Sequence, residues 1–237
     1  MSTLGMIGSG LMSIEIARLA LAAGVDVRLS NSRGPQSLTD LAAQLGDHAL
    51  AVTVEEAAAA DIVLLGLPLG RLGALDPAPL AGKTVIDLTN YYPHRDGRIA
   101  ELDANTLTAG QFVQAHLPDA HSVRVFSNIA YRHIPQLARP LGAPDRSALP
   151  LAGDDPEANS TVAAIVRGLG FDAVDVGPLS GSWRFEPDTV AYLLPYASPT
   201  MKRMEDLRST PGAPAGAAAI RALLDRAERT DQSTRAF

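Results

Sequence analysis

Along the first half of the chain, short apolar runs alternate with longer stretches of helical period. TLGMI, VDVRLS, IVLLGL and TVIDL are near-continuous hydrophobic runs and read as strands. Between them, LMSIEIARLALAAG and SLTDLAAQLG place apolar residues at helical spacing with a glycine closing each stretch, and read as helices. Strands buried on both faces look like unbroken hydrophobic runs, and parallel neighbours need helical crossovers. The pattern therefore predicts an α/β fold, a doubly wound, mostly parallel Rossmann-type sheet.

A helix over GQFVQAH leads to a further strand, SVRVFS. The stretch YRHIPQLARPLGAPDR is then expected to cross the surface without forming an element, because prolines interrupt it. ALPLAG and FDAVDV read as extra strands extending the same sheet, flanking a helix with Asp155 as N-cap and Pro156 at its first position. These elements assign residues 1–179 to one nucleotide-binding domain. Residues 180–237 form a short C-terminal segment, expected to pack on the body or on a second subunit. Within it, Ile220, Leu223, Leu224 and Ala227 make one apolar helix stripe, and Ser198 followed by Pro199 is a candidate helix start.

Composition narrows the chemistry. The 237 residues are 46% hydrophobic, enough for a sizeable core, and contain no cysteine, which removes disulfides and thiolate chemistry together. A formal net charge of -6 disfavours nucleic acid or an anionic membrane as partner. With no long apolar run and no leader-like N-terminus, a cytoplasmic protein is the expectation. The five histidines, His48, His94, His116, His121 and His133, show no metal-site spacing, so no metal is expected. Neither a serine-hydrolase elbow nor the ending of an ATP-binding P-loop occurs.

The strongest motif is GMIGSGLMS, in which Gly8, Gly10 and Ser13 occupy the marked positions of G-x-G-x-x-G between a strand and a helix. Gly8 permits the tight turn, and Gly10 lets backbone amides approach a pyrophosphate. The helix from Leu11 presents its positive end to the phosphates. About 20 residues further on, a site for NAD would carry an acid at the end of the second strand. Asp26 stands at that strand's start, about 13 Å from the crevice at roughly 3.3 Å per residue, and is rejected. Asn31, Ser32 and Arg33 arrive there instead. A guanidinium and a hydroxyl suit a 2′-phosphate, so the loop is expected to select NADP(H) over NAD. A solvated surface arginine is the alternative.

Ligands in such folds lie beyond the carboxyl ends of the strands. Pro68 could stiffen a turn beside the nicotinamide or simply stop a strand. Asn90, Tyr91, Tyr92 and His94 could stack on a flat acceptor or donate a proton to it, although part of the cluster must simply pack. Ser127 and Asn128 could anchor the nicotinamide amide or a substrate, or satisfy backbone groups only. Trp183 could wall a pocket, though a core aromatic is the preferred reading. No catalytic residue is assigned: hydride transfer between stacked rings needs no dedicated acid. For a carbonyl or imine acceptor, Tyr91, Tyr92, His94 or His133 would have to serve.

GMIGSGLMS, NSRGP after the second strand, AGDDPEA before a helix and VDVGPL after the last strand occur in that order. Together they resemble the NADPH-dependent oxidoreductases related to coenzyme F420:NADP oxidoreductase, over about residues 3 to 180. The resemblance implies a homodimer passing hydride between NADPH and a stacked deazaflavin, coenzyme F420. Gly8, Ser9, Gly10, Leu11 and Met12 would hold the pyrophosphate and Ser32 and Arg33 the 2′-phosphate, with Leu67 and Pro68 near the nicotinamide. Some membrane ferric reductases carry related NADPH domains, which adds a flavin as acceptor. An NADPH-dependent imine or carbonyl reductase and a non-catalytic NADPH-binding regulator are the alternatives.

Overall fold

The computed structural model describes residues 3–199, 206 and 209–235. The chain runs β1 (Thr3–Ile7), α1 (Leu11–Ala22), β2 (Asp26–Ser30), α2 (Thr39–Leu45), β3 (Ala49–Ala51), α3 (Val54–Ala58), β4 (Ile62–Leu65) and β5 (Thr84–Asp87). It continues with α4 (Pro93–Asp96), α5 (Ala100–Asp103), α6 (Ala109–His116), β6 (His121–Arg124), α7 (His133–Leu137), β7 (Ala148–Gly153), α8 (Pro156–Gly168), β8 (Asp172–Asp175) and α9 (Ala217–Asp225). All eight strands form one sheet in the order β3-β2-β1-β4-β5-β6-β7-β8. The first six are parallel; β7 runs antiparallel to β6 and is paired in parallel with β8. This is the doubly wound Rossmann-type architecture that the strand pattern predicts, with the two extra strands turned against the rest.

Continuous hydrophobic strands serve two cores because successive side chains face opposite sides of the sheet. Leu4, Met6, Ile62, Leu64 and Ile86 face the core that includes Ile16, Ala17 and Ala20 of α1. Ile7, Val63, Leu65 and Val85 face the core that includes Ala57 of α3 and Val113 of α6. Gly5 allows α3 to close on β1, since a Cβ there would lie 1.9 Å from the Ala57 carbonyl oxygen. Helix starts are chemically specified: Thr53 and Thr108 each complete a capping box, and Asp155 accepts from the Ala158 amide at 2.7 Å.

The stretch from Tyr131 differs from the expectation of an elementless surface crossing. His133–Leu137 forms α7 and buries His133, Ile134 and Leu137. Pro135 is the third residue of that short helix, within the first turn, where an amide has no intrahelical partner to lose. The helix expected after Ser198 would run into residues 200–205, outside the described residues. Further on, α9 buries Ile220 and Leu224 in the same core as Leu149 and Leu151, while Leu223 packs against it. At the far end, the Arg235 guanidinium donates to the carbonyls of Tyr91 and Pro187, each at 2.8 Å.

Candidate functional site

The chain leaves β1 to either side, towards β2 and towards β4, and a crevice opens where these neighbours diverge. Gly8 turns the chain there with φ +106°, and a Cβ on it would lie 2.3 Å from the Gly66 carbonyl oxygen. A Cβ at Gly10 would meet only that oxygen, at 4.0 Å, so the missing side chain leaves open space. Gly10 also precedes α1 without a side-chain cap, and the first turn carries no acid. The leading amides of α1 are therefore available to an anion. Ser13, at the third glycine position, is buried with an unpartnered hydroxyl and packs against Gly66.

After β2, the three expected residues divide their work. Asn31 braces the loop: its Oδ1 accepts from the Arg33 amide at 2.8 Å, and its Nδ2 donates to Ser37 Oγ at 3.0 Å and Ser9 Oγ at 3.4 Å. Ser32 and Arg33 are exposed, and the Arg33 guanidinium has no partner among the described residues. Asp26 pairs in register with Thr3, at the far end of β1 from Gly8, and its carboxylate meets His48 at 2.7 Å. It cannot reach the crevice.

Deeper in, β5 and β6 end side by side on a buried ion pair, Asp87 with Arg124 at 3.0 Å. Burial pushes the Asp87 carboxyl up, against the pull of Arg124 and of the Thr89 amide that donates to it. Arg124 reaches onward to Asn90 Oδ1 at 2.7 Å, and Asn90 Nδ2 donates to the Ser127 carbonyl at 2.7 Å. Asn90 thus ties the two strand ends together. Phe126, just before Ser127, holds φ +61°, a strained value for a bulky residue.

A cleft of about 450 Å³ runs from Gly10, Leu11, Met12 and Ser13 past Leu67 and Pro68 to Thr89, Asn90, Tyr92, Arg95 and Ser127. The hydroxyls of Ser13 and Ser127 are buried along it without a protein partner, and buried polar groups are ordinarily satisfied by protein, ligand or water. Two expected pocket residues lie elsewhere. Tyr91 is buried in the core beside α6, its hydroxyl bonded to Asp103 at 2.8 Å. Asn128 is fully buried and does not line the cleft: its Nδ2 donates to the Ala191 carbonyl and its own carbonyl accepts from the Leu193 amide, both at 2.9 Å. It thereby grips the chain on both sides of Tyr192. His94 is exposed beside the Tyr92 ring, and buried His133 contacts the Thr210 carbonyl at 3.0 Å. Trp183 is half-buried with the Arg184 guanidinium over its ring, so it is neither a cleft wall nor a full core residue.

Sequence reasoning missed Tyr192, Leu193, Arg95 and Arg132 of the cleft wall. Arg95 was legible as a cation beside the tyrosines. Tyr192 comes from 100 residues beyond Tyr92, yet the two hydroxyls are hydrogen-bonded to each other. Nothing local announces that meeting. Among the described residues, no group of three or more His, Asp or Glu could hold a metal ion, and no helix is long and apolar enough to cross a membrane.

Residues 3–91 match the family of NADP oxidoreductases, coenzyme F420-dependent. That segment contains the glycine turn, the Arg33 loop and Pro68, and it supports NADP-linked oxidoreduction. YjhV of Escherichia coli (strain K12) is 38% identical over 64 residues, 27% of this chain; the match spans about half, 47%, of that relative's length. The hypothetical protein SMa0349 of Sinorhizobium meliloti is 27% identical with a TM-score of 0.64, covering 77% of this chain and 88% of that one. An imine reductase of Aspergillus terreus, solved with NADPH4 and dibenz[c,e]azepine, shares the fold at 18% identity and a TM-score of 0.54, over 76% of this chain and 57% of its own.

Proposed function

We propose that the protein is an NADPH-dependent oxidoreductase that transfers hydride between NADPH and a flat redox acceptor, such as the deazaflavin coenzyme F420 or a flavin. The observation that carries this reading is the unpaired Arg33 guanidinium at the acid-free end of β2, one loop away from an open glycine turn. The residues fit the dinucleotide. Gly8 to Met12 offer backbone amides for the pyrophosphate, and Ser32 and Arg33 offer donors for the 2′-phosphate. Buried hydroxyls of Ser13 and Ser127 are unspent beside the cleft. NADPH, when bound, supplies the hydride. The protein's part is to hold both rings in contact and keep water away from them.

A second reading, reduction of an imine or carbonyl compound, is favoured by the two phenols of Tyr92 and Tyr192 on the cleft wall. Calorimetry with NADPH and NADH tests the cofactor assignment, with tighter NADPH binding expected. NADPH oxidation is then followed against deazaflavin, flavin, imine and carbonyl acceptors. Tight binding without turnover on any of them would leave the regulator as the surviving account.

A further inference from the structure

The Tyr92 and Tyr192 hydroxyls have only each other as hydrogen-bond partner among the described residues, and both line the cleft. Two phenols bring two donor protons, and their mutual bond uses one. The other has no acceptor in the protein and is left for whatever occupies the cleft. Tyr192 is largely enclosed. Burial, with the neighbouring Tyr92 hydroxyl, pushes its phenol far above the usual range, so it keeps its proton. The arrangement that leaves no enclosed donor unspent has Tyr192 donating to Tyr92, and Tyr92 turning its own proton into the cleft.

Both rings are held to that task. The Arg95 guanidinium lies 4.8 Å from the centre of the Tyr92 ring and is itself tied to the Asn90 carbonyl at 2.7 Å and to Asp96 at 2.8 Å. The Tyr92 amide is bonded to Asp96 at 2.9 Å. Tyr192 stands between the two backbone bonds to Asn128, and the next residue, Leu193, holds φ +58°. A strained, cross-braced segment that delivers one hydroxyl to another across 100 residues is costly to keep without a use.

We infer that Tyr92 is a catalytic proton donor, and Tyr192 its positioning residue, for a planar acceptor carrying a conjugated C=O or C=N bond. This inference rests on the NADPH-linked reading above. Bound NADPH would supply hydride to the acceptor carbon, forming the new C–H bond as the π pair of C=O or C=N moves to the heteroatom. That atom takes the Tyr92 proton. The Tyr92 phenolate left behind accepts the Tyr192 hydrogen bond until solvent returns a proton.

The test uses benzamide, an unreactive planar carbonyl compound, titrated by calorimetry into the full-length chain saturated with NADPH. Wild type is expected to bind it. Tyr92→Phe and Tyr192→Phe should each weaken benzamide about tenfold, the scale of one lost hydrogen bond, with NADPH affinity unchanged. The double variant should be no weaker than Tyr92→Phe, because the two act as one unit. On any acceptor the wild type reduces, Tyr92→Phe should lower kcat by about 100-fold with little change in KM for NADPH. Thermal melts of the Phe variants within a few degrees of wild type would exclude misfolding as the cause. NADPH binding with no benzamide binding, or Tyr92→Phe binding benzamide as wild type does, overturns the inference alone. Failure of NADPH to bind removes the underlying reading and this inference with it.

Discussion

Ser13 faces Gly66 across the crevice: a Cβ on Gly66 would fall 2.2 Å from the Ser13 hydroxyl. The serine at the third fingerprint position is therefore accommodated by a glycine just past the end of β4. Gly66→Ala should destabilise the fold by about 1–3 kcal/mol through overpacking. Adding Ser13→Gly should recover part of that loss, which a double-mutant cycle of denaturant midpoints would detect. Strictly additive losses would mean the two residues do not press on each other.

The Arg33 loop should decide between the two nicotinamide cofactors. Arg33→Ala removes a charged donor from a site with no competing acid. NADPH affinity is expected to fall by about 1.5–3 kcal/mol, roughly 10- to 100-fold, while NADH changes little. Equal losses for both in calorimetry would remove the 2′-phosphate assignment.

Replacing Arg124 tests how the cleft floor is held. Arg124→Met leaves the Asp87 carboxyl buried without its cation and frees the Asn90 side chain. The expected cost is about 3–5 kcal/mol of stability. Asp87→Asn in the same chain should return much of it, as read by urea unfolding, since the stranded charge is then gone.

Asp96 should give the Tyr92 loop an acid sensitivity. Burial alone would raise its carboxyl, but hydrogen bonds from Arg95 and from the Tyr92 and Gly70 amides, with the Arg95 charge, hold it below the usual carboxylate range. A depressed folded value means the unfolded chain binds the proton more readily. The stability it contributes is therefore complete above about pH 4 and is lost as pH falls through the folded value. Unfolding free energy should rise less steeply with pH over that acid range in Asp96→Asn than in wild type. Identical slopes would show that the loop does not depend on this charge.

Much of this architecture was legible because local rules suffice. Hydrophobic runs with intervening helical periods specify a two-faced parallel sheet, and the 155–156 pair specifies the start of α8. The glycine turn and the absence of an acid after β2 were legible for the same reason, since a few consecutive residues carry the whole signal. Misreadings arose where the deciding partner is remote. Tyr91 and Tyr92 are equivalent in the sequence, yet one supports the core through Asp103 and the other lines the cleft. Asn128 had the chemistry of a ligand anchor, but its Nδ2 and carbonyl are committed to residues 191 and 193, and its partnerless Oδ1 is buried away from the cleft lining.

The sequence by itself determined the sheet, the phosphate turn and the cation at the end of β2, because each follows from short-range periodicity or from backbone needs at fixed positions. Only the tertiary structure decided which polar groups remain unspent. That depends on which side chains arrive from elsewhere: Arg124 consumes Asn90, Asp103 consumes Tyr91, and Tyr192 meets Tyr92 with one proton to spare. Hydrogen-bond accounting closes only in three dimensions, and the reactive surface of the cleft is what that accounting leaves over.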